Sequence, residues 1–153
     1  MISLSLDVKY GSSYYKKLGL KGKKHSDMIS ETLDYGLNEA NNIARREAPI
    51  KTGNLRRSIT KNKPSKFVGE LRSNARSNGK PYWPMVQYGT GPHTITPKNG
   101  NFVVFEKGGE TVFARKVSHP GTAANPFVTR TLNRSLPLFK EYYHRVLSEN
   151  GIL

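Results

Sequence analysis

The chain has 153 residues and no cysteine, and 25 lysines and arginines against 11 acids give it a formal net charge of +14 at pH 7. This length predicts one domain, and the lack of cysteine excludes disulfides and thiolate metal sites. The first ten residues lack the basic start and apolar run of a signal peptide, and no segment approaches the roughly 20 apolar residues of a membrane span, so we expect a soluble protein made in a cytoplasm, without a membrane partner.

The positive charge is concentrated in two stretches. Six lysines and no acid lie between Lys9 and Lys24, and eight basic residues accompany the single Glu47 between Arg45 and Lys66. A positive surface of this density attracts nucleic acid, anionic lipid or an acidic protein, although a solvated basic face also aids solubility. We favour a polyanionic partner. The hydrophobic fraction of 35% predicts a small core with arms or loops that a partner orders; long solvated loops are the alternative.

The first predicted element is a strand over residues 2–10, where apolar and polar side chains alternate strictly. Residues 11–25 are rich in Gly, Ser and Lys and are predicted to form a flexible linker or arm. Ser26 then offers an N-cap for a long amphipathic helix of about 20 residues, which Pro49 ends near Glu47. The residues of its apolar face are Ile29, Leu33, Leu37, Ala40 and Ala44.

The middle of the chain is predicted to contain short elements. Thr52 is a candidate cap for a short helix through Leu55 and Ile59. Strand signals resume at residues 67–72, and residues 73–80 form a polar loop.

An aromatic segment and a hairpin follow. Residues 82–88 form a compact aromatic cluster that we expect to pack on a sheet and to end at Gly89. Residues 102–105 and 111–117 flank Gly108-Gly109, which predicts a β-hairpin with Gly-Gly at its turn.

The last predicted element is a helix. His119-Pro120-Gly121-Thr122 breaks the chain, Asn125 is the expected cap and Pro126 the first helical residue. Pro137 is expected to kink the helix, and Gly151 lies near its end. The buried face is predicted to comprise Phe127, Leu132, Leu136, Phe139, Tyr143 and Val146.

This order of elements predicts an α+β fold. We expect a single domain over residues 1–153, with an antiparallel β-sheet packed by a long N-terminal amphipathic helix and a C-terminal helix, and with extended loops or arms. The sequence shows no internal repeat.

The sequence lacks a recognisable constellation for catalysis or metal binding. The four histidines lie far apart, and none forms an i, i+4 pair with another histidine or a glutamate. For His119, a hydrogen bond to its own turn is favoured over a catalytic role. We therefore expect no enzyme activity, cofactor, metal site or small-molecule substrate.

Non-specific nucleic-acid binding is a second interpretation of the basic stretches. The lysines over residues 16–24, with Tyr14 and Tyr15 nearby, are suited to contact phosphates and to stack on bases. Without a helix-turn-helix, zinc knuckle or other reading motif, sequence-specific recognition is not expected.

Three ordered segments carry a resemblance to a known family. Residues 44–59 contain Ala-Pro-Ile-Lys-Thr-Gly-Asn-Leu and end in Ser-Ile; residues 82–90 are an aromatic segment ending in Gly-Thr; residues 112–127 run through His-Pro-Gly-Thr to Asn-Pro-Phe. In this order they resemble the tailed-phage family of neck, head–tail joining and tail-completion proteins, typified by the gene-ten product of a lambdoid siphophage. Gln87 replaces an acid of that family.

The resemblance implies a structural virion protein in the neck or tail, assembled in the host cytoplasm. Such a protein forms a homo-oligomeric ring, expected to be a hexamer, between the head connector and the tail tube. Its partners would be copies of itself, neighbouring neck or connector proteins, the tail tube protein and the double-stranded DNA passing through the lumen.

Two sets of residues follow from the resemblance and the charge. Candidates for contact with DNA in the lumen, or with an acidic partner, are Lys16, Lys17, Lys21, Lys23, Lys24, Arg56, Arg57, Lys61 and Lys63. The motif positions expected to shape the fold are Pro49, Thr52, Gly53, Leu55, Tyr82, Tyr88, Gly89, Thr90, His119, Pro120, Gly121, Pro126 and Phe127.

Three function hypotheses follow: a virion assembly protein, a free DNA-binding protein and an unrecognised hydrolase. The first is favoured. The sequence leaves open whether the subunit contacts the stopper or the tail tube, and whether its basic residues face DNA or protein.

Overall fold

The computed structural model of the protein describes residues 22–77 and 79–153, so the strand predicted over residues 2–10 and most of the predicted linker lie outside the described residues. The α+β class is confirmed, with a long helix at each end of the described chain and short strands between them. The helices are α1 (Gly22–Glu47), α2 (Asn54–Ser58), α3 (Trp83–Tyr88) and α4 (Phe127–Glu149). The strands are β1 (Ile59–Ser65), β2 (Val68–Ser73), β3 (Arg76–Ser77), β4 (Lys80–Pro81), β5 (His93–Ile95), β6 (Val103–Lys107), β7 (Glu110–Ala114) and β8 (Val117–His119).

Internal contacts divide the chain into two compact units. The helical unit comprises the described residues up to Trp83 together with Pro126–Leu153, and the hairpin unit comprises Pro84–Asn125. The described strands pair antiparallel in four two-stranded sheets, β1 with β2, β3 with β4, β5 with β8 and β6 with β7, and no larger sheet joins them. No helix in the described part of the chain is long and apolar enough to span a bilayer.

Helix α1 begins at Gly22, before the Ser26 cap predicted from the sequence, and ends at the predicted position. Residues 22–25 therefore belong to a helix and not to a linker, which corrects the C-terminal bound of that prediction. Packing explains the extension: His25 is buried, and its Nε2 lies 2.8 Å from the Tyr143 hydroxyl of α4. Burial lowers the pKa of His25 from its ordinary value. Tertiary contact thus outweighs the local cap signal of Ser26.

Helices α1 and α4 pack along each other. The predicted apolar face of α1 is buried except at Ile29, which is half-buried. Leu33, Leu37, Ala40 and Ala44 are buried, as predicted. Gly36 lies against the Phe139 ring so closely that a Cβ at this position would overlap the ring. This glycine therefore sets how near the two helices come.

The start of α4 differs from the prediction. Pro126 is the N-cap residue and makes no side-chain cap hydrogen bond, and Phe127 is the first helical residue. Asn125 is not the cap; its backbone N–H donates to the carbonyl oxygen of Val86 at 2.8 Å, within the hairpin unit. The helix continues through Pro137.

The buried face of α4 is also more polar than predicted. Leu136 is 45% exposed, whereas Thr131 and Ser135 are buried. Burial of these hydroxyls is tolerated because each donates to a carbonyl of its own helix, at 2.8 Å from Thr131 and 3.3 Å from Ser135. Small side chains at these positions allow a closer approach than leucine would. The other predicted positions are buried (Phe127 and Val146) or half-buried (Leu132, Phe139 and Tyr143).

A Schellman motif ends α4. Gly151 has a left-handed φ of 67°, its N–H donates to Ser148 O at 3.0 Å, and the Ile152 N–H donates to Leu147 O at 3.0 Å. The Ile152 side chain packs on a cluster of Met28, Val146 and Leu147. The C-terminal residues are therefore part of the helical packing.

Strands β1 and β2 form a hairpin against α1. Ile59 and Leu71 are buried, and Gly69 lies so close to the Leu37 side chain that a Cβ would be 2.6 Å from it. The predicted short helix precedes this hairpin. Its N-cap is Gly53 and not Thr52, although the Thr52 hydroxyl accepts the Asn54 N–H at 3.4 Å.

The hairpin unit contains the two remaining sheets. β6 and β7 pair through the predicted turn, where Gly108 and Gly109 have φ of 65° and 85°, as a type I′ turn requires. β5 pairs with β8, and a bridge between Thr90 and Thr122 extends the contact of the segments that flank them.

Candidate functional site

The predicted basic contact residues have different environments. Lys16, Lys17 and Lys21 lie outside the described residues, as does the side chain of Lys23, and Lys24 is exposed near the start of α1. The basic residues of the second stretch all lie in the helical unit, and six of them form two groups. Of the other two, Arg45 donates to the backbone oxygen of Ile59 and Lys66 pairs with Asp27.

The first group braces β1 against α1. Lys63 Nζ lies 2.7 Å from an Asp34 carboxylate oxygen and 2.7 Å from the Ser30 hydroxyl. Lys61 donates to the side-chain carbonyl of Asn38. Because these ammonium groups are already bound to α1, Lys61 and Lys63 are weaker candidates for contact with an external anion than the sequence suggested.

The second group surrounds the connection between α1 and α2. We name it the basic turn and define it as Arg46, Ile50, Lys51, Arg56 and Arg57. Arg56 donates to the backbone oxygen of Arg46 at 3.4 Å, and Arg57 donates to that of Thr52 at 3.1 Å. Within the described chain, none of its four cations forms an ion pair with a carboxylate, and Ile50 is 63% exposed among them. The basic turn therefore combines four cations with one exposed apolar side chain.

The nearest acid in sequence does not neutralise the basic turn. Glu47, nearly buried, accepts a hydrogen bond from Arg130 Nε at 2.6 Å and another from Arg134, both on α4. The hydrogen bond from Arg130, more than the charge of Arg134, lowers the pKa of Glu47. The single carboxylate of the stretch thus joins α1 to α4.

The motif positions shape turns. Gly53, Gly89 and Gly121 adopt left-handed φ of 73°, 73° and 94°. A Cβ at Gly89 would overlap the Thr122 backbone, and one at Gly121 would overlap the Thr90 carbonyl oxygen. These contacts explain why glycine is required on both sides of the Thr90 to Thr122 bridge.

The remaining motif positions confirm some predictions and correct one. The Gly121 N–H donates to His119 Nδ1 at 3.0 Å, which confirms the predicted bond of this histidine to its own turn. The aromatic cluster does not pack fully, because Tyr88 is 73% exposed and Met85 49% exposed. The other motif residues are buried (Leu55 and Phe127), half-buried (Pro49, Tyr82 and Thr90) or exposed (Thr52, Pro120 and Pro126).

A surface that sequence reasoning missed lies on the β6–β7 hairpin. Val104 and Phe113 are directly paired in the register, and they are 56% and 65% exposed. Phe102, two residues before Val104, is also exposed, and Glu106 continues the same face toward the turn. We name Phe102, Val104, Glu106 and Phe113 the hairpin face. The alternation of side chains between the two faces of β6 could be read from the sequence, but it did not show which face would remain uncovered by the rest of the chain.

Comparison with protein-family models, with curated proteins and with solved structures found no match to this chain. Over residues 22–77 and 79–153, no group of three or more His, Asp or Glu side chains is placed to hold a metal ion. The surfaces with distinctive chemistry in this range are the basic turn and the hairpin face.

Proposed function

We propose that the chain is a structural, non-enzymatic subunit of a tailed-phage virion, in the neck or at tail completion. It forms a ring, expected to be hexameric, that joins the head connector to the tail tube and lets DNA pass. The single observation that carries the proposal is the solvent exposure of the apolar residues in the hairpin unit. None of them is buried, and five are exposed: Met85, Tyr88, Phe102, Val104 and Phe113.

This pattern favours a protein that completes its packing in an assembly. A two-stranded hairpin is marginally stable in water unless it packs against something else. Contiguous exposed apolar residues on a soluble protein mark contact sites for partners. A hydrolase or a free DNA-binding protein has no need for an apolar hairpin face, whereas a ring subunit has a neighbour on each side to cover it.

The basic turn supports the same proposal. Its four cations lack carboxylate partners within the described chain, so they are available to neutralise phosphates or an acidic neighbour. The resemblance of residues 44–59, 82–90 and 112–127 to neck and tail-completion proteins supplies the location in a virion.

The proposal is tested by measuring the mass of the purified protein in solution and imaging it in negative stain. We expect closed rings, or ordered decoration of tail tubes when tubes are added. A protein that stays monomeric at about 100 µM and binds neither tubes nor connectors contradicts the proposal. For comparison, a Kd of about 1 µM corresponds to a binding free energy of about 8 kcal/mol.

A free, non-specific DNA-binding protein is the second candidate, and the cations of the basic turn, which pair with no carboxylate of the described chain, favour it. Its test is a gel shift on double-stranded DNA over a salt series. Submicromolar affinity of the monomer, with affinity falling steeply as salt rises, supports this alternative. The variant Lys51→Glu/Arg57→Glu should then bind DNA more weakly and with a shallower salt slope. The control is Lys98→Glu/Lys140→Glu, which changes the net charge by the same amount at exposed positions outside the basic turn.

A further inference from the structure

We infer that the hairpin face of one copy docks on the basic turn of the next copy. This inference rests on the proposed ring and identifies the two surfaces that build it. They are different patches of the same chain, so the contact is head-to-tail, the kind that closes into a ring when the rotation between copies allows it.

The hairpin face combines apolar and acidic character. Phe102, Val104 and Phe113 form an exposed apolar surface, and Glu106 lies beyond Val104 on the same side of the strand. Glu106 and Glu110 are the only acids of the hairpin unit, and neither forms an ion pair with a residue in the described part of the chain. Both are exposed and lie next to the Gly108-Gly109 turn. By the β6–β7 register Glu106 lies on the hairpin face, whereas Glu110 lies opposite Lys107 on the other face. The hairpin face therefore presents one carboxylate, Glu106, beside its apolar residues.

The basic turn is the complement of that surface. Ile50 provides an exposed apolar side chain in the same connection that carries the cations Arg46, Lys51, Arg56 and Arg57. The two arginines of α2 are oriented by hydrogen bonds to backbone oxygens, so ordering their side chains on binding costs less. Apolar contact at the centre with opposite charges around it is the usual arrangement of a specific protein interface.

Pairing of two hairpin faces with each other is the competing arrangement, and charge disfavours it. Two copies of the same face would bring Glu106 near its own equivalent and would leave the cations of both basic turns without carboxylates. Like charges placed opposite each other destabilise a pair, whereas the head-to-tail contact places opposite charges together.

The test uses two variants that each lack one surface. Val104→Ser/Phe113→Ser removes the apolar hairpin face and leaves the basic turn intact. Ile50→Ser/Lys51→Glu removes the exposed apolar side chain of the basic turn and reverses one of its charges, and it leaves the hairpin face intact. All four positions are exposed, so both variants should fold, which circular dichroism checks. Each alone should assemble at least about thirtyfold more weakly than the wild type, as expected for the loss of central interface residues.

Mixing the two variants distinguishes the possible arrangements. The hairpin variant still offers a basic turn, and the turn variant still offers a hairpin face, so one good contact forms between them. We expect a one-to-one heterodimer by native mass spectrometry, with no larger species. Leu136→Ser, an exposed apolar change on α4 outside both surfaces, should assemble like the wild type.

Three results would overturn the inference. Wild-type rings together with normal assembly of either variant would show that the ring uses other surfaces, and the proposed function would stand. Homodimers of the turn variant, with no heterodimer in the mixture, would indicate pairing of hairpin faces. A wild type that remains monomeric contradicts the ring itself and removes the inference with it.

Discussion

The two units of the molecule differ in the burial of their apolar residues. Every buried hydrophobic residue of the described chain lies in the helical unit, where α1, α4 and the β1–β2 hairpin cover one another. The hairpin unit spans 42 residues, Pro84–Asn125, and Gln87 is its only buried residue. Its strands are nonetheless rich in Val and Phe. The difference teaches that apolar sequence predicts a strand, but not whether the same chain supplies the surface that covers it.

A matched pair of substitutions tests this comparison most directly. Phe127→Ala removes a ring that is 1% exposed and should lower the free energy of unfolding by about 3–5 kcal/mol. Phe113→Ala makes the same chemical change at a site 65% exposed and should alter it by no more than about 0.5 kcal/mol. Urea unfolding measures both, in the Ile50→Ser/Lys51→Glu background so that assembly does not contribute. Equal losses of unfolding free energy at the two sites would contradict the difference in burial between the two units.

The glycines provide a second, smaller contrast. Gly36→Ala should lower stability by about 1–3 kcal/mol, despite the better helix propensity of alanine, because the added methyl overlaps the Phe139 ring and pushes α1 from α4. Gly91→Ala in the hairpin unit has no atom within 4 Å of the new Cβ and should be close to neutral. Thermal unfolding compares the stabilities of the two variants. If Gly36→Ala is as stable as the wild type, α1 and α4 can move apart to accommodate the methyl group without loss of stability.

The third test concerns charge in the helical unit. The pKa of Glu47 is lowered in the folded state, so the unfolded chain takes up this proton first on acidification, and the stabilisation is lost as the pH falls through the ordinary value of 4.5 toward the folded one. Glu47→Gln should therefore be less stable than the wild type at pH 7, and the difference should shrink below about pH 5. Urea unfolding from pH 7 to pH 3 measures this, with the exposed Glu141→Gln as control. A constant difference would show that the arginine contacts contribute little.

The fold class could be predicted from the periodic pattern of apolar residues and from the turn residues. The apolar repeat of α1 and the Gly-Gly turn of β6–β7 are strong local signals, and both elements were found. Strand β1 was not predicted, because of its seven residues only Ile59 is buried and the others are polar or exposed. The helix extension before Ser26 and the buried Thr131 also depend on contacts between distant segments, which no local pattern contains.

The candidate site was predictable only in part. Composition identified the basic stretch, but it could not distinguish Lys63, which pairs with Asp34, from Arg57, which pairs with no described carboxylate. That distinction depends on which side chains α1 presents to β1. The exposure of Phe113 was equally hidden, since the same alternation is typical of strands that are covered by their own chain.

The open turn of the β6–β7 hairpin offers a practical opportunity. A Cβ added at Gly108 or Gly109 would meet no atom within 4 Å, and both glycines are exposed. Exposed loop tips of this kind accept inserted chain with little effect on the fold. A short peptide tag placed between these glycines should therefore leave the helical unit folded, and its accessibility to an antibody would report in real time whether the neighbouring carboxylates are free or covered.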